Sequence, residues 1–152
     1  MEYHFTIHKE GKKFWAQCIE LTGCITQATT LKKLYNNMQE ALNLYIEESD
    51  DSGDIAVLPD TAIKVTKNIV KVAADPQVAF AFLVRFYRIK HGMTQREAAK
   101  KLGFTNIYSY QRLETRKCNP RLDTIATLKK LYPELSVDFA MKRSDHNLKT
   151  MV

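Results

Sequence analysis

The stretch from Thr94 to Pro120, TQREAAKKLGFTNIYSYQRLETRKCNP, constrains this chain most, because its apolar spacing and punctuation read as two short helices and a tight turn. Thr94 is suited to cap the first helix, accepting from an orphan N–H of the opening turn, and Glu97 completes a capping box three residues later. Ala98, Ala99 and Leu102 form a small apolar face, and Gly103 supplies the permissive backbone at which the helix stops. After Phe104, Thr105 is expected to cap a second helix. Tyr110 and Leu113 of that helix point inward at i and i+3, leaving Tyr108, Ser109, Gln111 and Arg112 outside. That outer face carries groups that can hydrogen-bond base edges or phosphates.

The charge distribution agrees with a helix-turn-helix. Residues 76–152 hold 15 Lys/Arg against 6 Asp/Glu, a net of +9; residues 1–75 hold 8 against 11, a net of −3. The basic half suits a phosphate backbone, and the acidic half would be repelled by the same surface. A length of 152 residues admits one ordinary domain or two small ones. No apolar run is long enough to span a bilayer, and the opening MEYHFTIHKE lacks the basic-then-apolar pattern of a secretion signal, so a cytoplasmic protein is expected. Cys18, Cys24 and Cys118 are odd in number and form no CxxC pair, which argues against a disulfide framework and against zinc.

Taken in order, residues 2–8 alternate as a half-buried strand, with Tyr3, Phe5 and Ile7 on one face and His4, Thr6 and His8 on the other. A turn at Gly11 leads into a strand over 14–19 that is apolar on both faces and so belongs inside the sheet; a third strand covers 24–28. Thr30 caps a helix in which Leu31, Leu34, Tyr35, Met38, Leu42, Tyr45 and Ile46 recur at helical spacing. The acidic run ESDDSGD is a solvated loop, and a final strand or hairpin, broken near Asn68, uses Ile63 and Val65, then Ile69, Val70 and Val72. Ala74-Asp75-Pro76 marks the domain boundary. A helix from Pro76 to His91 follows, with Phe82, Leu83, Phe86 and Ile89 inward, while Phe80, Val84 and Tyr87 carry apolar surface further round for burial against the first domain or a second subunit. Asp123 is expected to cap a helix bearing Ile125, Leu128 and Leu131, and Ser136 to Met141 to add a turn; Arg143 to Val152 is a flexible tail.

Two resemblances extend this reading. The hairpin around Lys9-Glu10-Gly11, the strand through Phe14 and Trp15, ELTGCITQATT and the helix ending EALNLYIEE resemble the N-terminal domain of HicB antitoxins. One departure is Ile19-Glu20-Leu21-Thr22-Gly23, where that family commonly has a proline-bearing PDxPG turn. From Pro76 to about Leu135 the chain is similar to the Xre/Cro helix-turn-helix type, on Thr94, Gln95, Leu102, Gly103, Leu113, Glu114, Asn119 and Pro120; one extra residue falls in the turn near Asn106. Together they imply an α+β chain. Residues 1–75 form a truncated RNase H-like antiparallel sheet with a packed helix, 76–142 an all-α helix-turn-helix domain, and 143–152 the tail.

The resemblances imply an antitoxin that neutralises a HicA-type mRNA-cleaving ribonuclease and represses its own operon, as a homodimer or higher even oligomer without cofactor. Gln95, Thr105, Ile107, Tyr108, Ser109, Gln111 and Arg112 are then the DNA-binding residues, with Arg116, Lys117 and Arg121 near phosphates. Trp15, Glu20, Asp50, Asp51 and Asp54 are candidates for the toxin contact, since an acidic surface can cover a basic RNA-binding face. A nuclease would need clustered carboxylates for two metal ions, and the strand centres carry none. His4 and His8 share a face but are separated by too much rise to ligate one metal unaided, and Cys118 has no neighbouring base, so no enzyme is expected. The alternative is a one-component transcription regulator whose first domain senses a small molecule in a pocket bordered by Ala16, Cys18 and Ala28.

Overall fold

The computed structural model describes residues 1–47 and 54–144, which separate into two units. Residues 1–47, 56–75 and 142–144 make up the first, and 54–55 with 76–141 the second. The acidic residues Asp50 and Asp51, and the expected tail from 145 onward, lie outside the described residues.

The first unit is a four-stranded antiparallel sheet with one helix across it. Strands β1 (Glu2–Glu10), β2 (Lys13–Cys18), β3 (Ile25–Ala28) and β4 (Ile69–Ala73) lie in the order β3-β2-β1-β4, so β2, apolar on both faces, is an inner strand as its composition suggested. Phe5 stands opposite both Cys18 and Val70, and Ile7 opposite Ala16. This register gathers Tyr3, Phe5, Ala16, Cys18, Val70 and Val72 on one face, all buried. Helix α1 (Leu31–Glu47) covers that face with Leu34, Met38, Leu42 and Ile46. Each fully buried aliphatic side chain contributes roughly 1.5–3 kcal/mol relative to exposure, so this stripe fixes where the helix sits. Thr30 caps it, its Oγ1 accepting from Lys33 N at 3.2 Å. The opposite sheet face carries His8 and Trp15, directly cross-strand and stacked at 4.0 Å, with Gln17 beside them.

Ile63 and Val65, expected as strand, form none. Asp60 takes this segment into a turn, its Oδ1 accepting from Ala62 N and its carbonyl from Ile63 N, and Val65 is left 55% exposed. Only the second half of the apolar run enters the sheet.

The second unit is all-helical: α2 (Pro76–Lys90), α3 (Gln95–Lys101), α4 (Ile107–Gln111), a 3-10 turn (Arg112–Glu114), α5 (Leu122–Leu131) and α6 (Val137–Met141). Every residue from Val78 to Phe86 is buried, which accounts for the width of the apolar surface read from α2. Tyr110, Leu113, Leu128, Tyr132 and Leu135 complete the core, and the hydroxyls of Tyr110 and Tyr132 meet at 2.8 Å inside it. Arg121, not Asp123, is the residue before α5; Asp123 lies in the first turn, where its carboxylate accepts from Thr124 N and faces the helix N-terminus.

Residues 142–144 return to the first unit. Arg143 donates to Ala74 O at 3.4 Å, Ser144 Oγ to Glu2 Oε1 at 3.0 Å, and Lys142 O accepts from Met1 N at 2.8 Å. Local sequence carries no periodic signal here, because these contacts are made with residues 69–142 positions away.

Candidate nucleic-acid interface

Helix α3 begins as its sequence dictates. Thr94 Oγ1 accepts from Glu97 N at 3.1 Å, and Glu97 Oε2 accepts from Thr94 N at 3.4 Å, closing the capping box. It ends on Gly103, whose φ of 76° lies in the left-handed region. Phe104 N then donates to Ala99 O and Gly103 N to Lys100 O, the paired bonds of a Schellman ending.

The second helix starts one residue later than expected. Asn106, not Thr105, is its N-cap, with Oδ1 accepting from Ser109 N at 3.0 Å and from Ser109 Oγ at 3.2 Å. Asn106 is extended at φ −138°, a geometry that lets its side chain fold back over the first turn. Thr105 is thereby an exposed turn residue.

Beneath the exposed surface runs a continuous polar chain. Glu114 is buried and accepts Arg88 Nε at 2.6 Å and Arg88 Nη2 at 3.2 Å, a bidentate pair. Arg88 Nη1 donates to Met93 O at 2.9 Å, anchoring the α2–α3 connection. Gln95 Nε2 donates to Glu114 Oε2 at 2.9 Å, and Gln111 Nε2 donates to Gln95 Oε1 at 3.1 Å. Desolvation opposes the Arg88 charge, but the hydrogen bonds and field of Glu114 outweigh it and hold the guanidinium above its ordinary range. The side chains of Gln95 and Gln111, one from each short helix, are therefore held in fixed orientation at the boundary of the core and the surface.

Around this pair the expected residues divide. Tyr108 is 77% exposed, and Ser109, Arg112, Arg116 and Lys117 are also exposed. Ile107, Gln95 and Gln111 are half-buried. Arg112 Nε donates to Lys117 O at 3.2 Å, so the guanidinium steadies the loop after the 3-10 turn while remaining at the surface. Arg96, Lys100, Lys101 and Arg121 add exposed positive charge to the same unit. Cys118 is buried, its Sγ donating to Gln77 O, and burial pushes its thiol up rather than activating it. The Glu114–Arg88 pair was missed in the sequence, where Glu114 served only as a motif anchor; an arginine on the inner side of an apolar helix is the signal that a buried partner is required.

In the first unit the candidates fare unevenly. Trp15 is half-buried and stacked on His8, and Asp54 is exposed. Glu20 is turned inward, its side chain only 4% exposed. It accepts His4 Nδ1 at 2.6 Å, His4 N at 3.0 Å, Asp60 N at 3.4 Å and the Cys18 thiol at 3.5 Å. Glu20 thus fastens the turn at Asp60 to the sheet and its side chain is turned away from the surface, a placement that depends on the bend after β2 folding back onto His4, 16 residues away. The His4 ring is engaged with Glu20 within the fold rather than with His8, whose Nε2 meets Thr6 Oγ1 at 3.1 Å. Among the described residues no group of three His, Cys, Asp or Glu is placed to hold a metal ion, and no helix is long and apolar enough to cross a membrane. Compared with models of known protein families and with curated proteins, the chain matches none of them.

Proposed function

We propose that the chain is an antitoxin and autorepressor: a HicB-type first domain, residues 1–75, that holds a HicA-type ribonuclease toxin, and an Xre/Cro-type helix-turn-helix domain, residues 76–142, that binds operator DNA. The observation that carries the DNA half is the Gln111–Gln95–Glu114–Arg88 chain, which orients an exposed helical face in the basic part of the protein. A glutamine amide held in place can pair bidentately with adenine in the major groove, and Tyr108, Ser109 and Arg112 surround it with further donors. Arg116 and Lys117 supply phosphate contacts. One short recognition helix reads few bases, so two copies acting on half-sites about one helical turn apart are expected.

The acidic balance of residues 1–75 supports the toxin half, because it opposes the basic face that an RNA-cleaving partner must present. The rival sensor reading draws no comparable support: Ala16 and Cys18 are buried on the face that α1 covers.

The test uses the full chain. DNA selected from a random pool should bind the native protein with an affinity that falls steeply with salt, by roughly 0.9 in log–log slope per phosphate neutralised. Gln111→Ala with Arg112→Ala should abolish that binding while co-expression still rescues cells from the protein encoded in the adjacent reading frame. Loss of both activities together defeats the division of labour, and an adjacent frame without a toxic product defeats the antitoxin reading.

A further inference from the structure

In the first unit, the free edge of β3 and the C-terminal half of α1 border an open groove of about 530 Å³, reached by Ile25, Ala41, Leu44, Tyr45 and Glu47. β3 is an edge strand, paired with β2 alone. Cys18 N donates to Cys24 O, so Cys18 and Cys24 form a hydrogen-bonded position of the ladder. By antiparallel alternation Ile25, opposite Gln17, is then a non-bonded position, with its own N–H and C=O directed to the free edge. Natural edges are normally blunted by charge, proline or cover. This one has no charged residue from Leu21 to Leu31. Among the described residues only its far end is closed, where Asn37 Nδ2 donates to Gln27 O at 2.9 Å.

The groove wall is built rather than incidental. Tyr45 OH donates to Thr22 O at 2.9 Å, tying the helix to the turn before β3. Leu44 is 67% exposed at the opening, an unusual placement for a large aliphatic side chain, while the side chain of Ile25, opposite Gln17, lies on the far face of the sheet. The charge on this helix has a single sign beside the groove: Glu47 lines it, and α1 from Leu34 to Glu47 carries Glu40 and Glu47 and no Lys or Arg. An open strand edge beside a helix, with an apolar wall and an acidic mouth, is suited to strand addition by an extended segment.

We infer that this groove takes an extended, basic segment of a protein partner, which adds antiparallel or parallel to β3 at Ile25, sets an apolar side chain against Leu44, and directs a Lys or Arg toward Glu47. The inference rests on the reading of the first unit as the partner-holding half and is independent of DNA binding.

A random heptapeptide display library panned over the full-length protein tests it, with full-length Leu44→Lys and Ile25→Pro as matched baits. Leu44→Lys places a like charge at the mouth; Ile25→Pro removes an N–H that makes no ladder bond. Enriched peptides should alternate apolar residues with Lys or Arg and lack central proline. Their synthetic forms should bind the native chain at least tenfold more tightly than either variant and slow hydrogen exchange of the Ile25 amide at least tenfold. Should Ile25→Pro fail to fold, Leu44→Lys and the exchange measurement still decide. No enrichment over Leu44→Lys, a consensus without Lys or Arg, or an Ile25 amide that exchanges at its free rate overturns the inference. Such a failure leaves the co-expression result untouched, so it is separable from failure of the antitoxin reading.

Discussion

Each unit buries one carboxylate against a basic side chain at the same 2.6 Å separation, and the two pairs serve opposite directions. In the helical unit Glu114 is reached by Arg88 from below and Gln95 from above, so its influence travels outward to Gln111. In the sheet unit Glu20 collects His4, Cys18 and the Asp60 amide, and its influence ends inside. The first pair orients a surface; the second closes a loop. A difference in the partners underlies this. Arg88 is a fixed cation that spends Nε and Nη2 on Glu114 and Nη1 on Met93 O, leaving Glu114 acceptor capacity for Gln95, whereas His4 spends Nδ1 and its backbone N–H on Glu20 and leaves its Nε2 without a partner.

The sharpest way to break the comparison is Glu114→Ala. It strands a buried guanidinium and should cost about 3–5 kcal/mol, seen as early loss of helical circular dichroism in denaturant. Arg88→Met combined with Glu114→Leu should recover most of that loss, because no charge is then left buried, while the orientation of Gln95 and hence DNA binding stays lost. Glu20→Ala should cost less, about 2–4 kcal/mol, from unpaired His4 and Asp60 donors. Trp15, the single tryptophan, reports that unfolding by fluorescence. Equal losses at Glu20 and Glu114 would erase the distinction drawn here.

Alkali should weaken the protein next. Burial pushes the Cys24 thiol up from 9 to about 11 and raises Cys18 and Cys118 as well. A raised folded pKa means the folded state keeps protons the unfolded chain has released, so this stability is full below pH 9 and falls as pH rises from 9 toward 11. The sheet unit, with two such thiols against one, should show the steeper loss in denaturant melts at stepped pH, and Cys24→Ala should reduce it while Cys18 keeps the remainder. The smallest effect is expected at Tyr108→Ala, which should shift stability by less than about 0.5 kcal/mol in a thermal melt while weakening DNA binding. A large stability loss there would mean that Tyr108 belongs to the fold and not to the reading face.

Features set by neighbours in sequence were legible: the Thr94–Glu97 box, the Gly103 ending, the α1 stripe and the alternation of β1. Each depends on contacts within a turn or on strand period. The second helix start was misplaced by one residue because Thr105 and Asn106 are both competent caps, and the choice follows from which backbone is extended at the close of the turn. Ile63 and Val65 looked like strand by composition, yet the Asp60 turn consumed their backbone first. Of the candidate site, the exposed groups Tyr108, Ser109 and Arg112 could be read from helical spacing. The buried support beneath them could not, since Arg88 and Glu114 are 26 residues apart and meet only through helix packing.

Because residues 142–144 bond back to Glu2 and Ala74, the helical unit is topologically an insertion between two parts of the sheet unit. Mechanical load applied at residues 1 and 144 would enter the sheet unit first. The helical run Pro76–Met141, flanked by those contacts, would carry no tension until the Arg143 and Ser144 contacts let go. A hold on the first unit strong enough to protect those contacts would therefore shield the helices from being pulled open, as when a protease draws on one end of the chain.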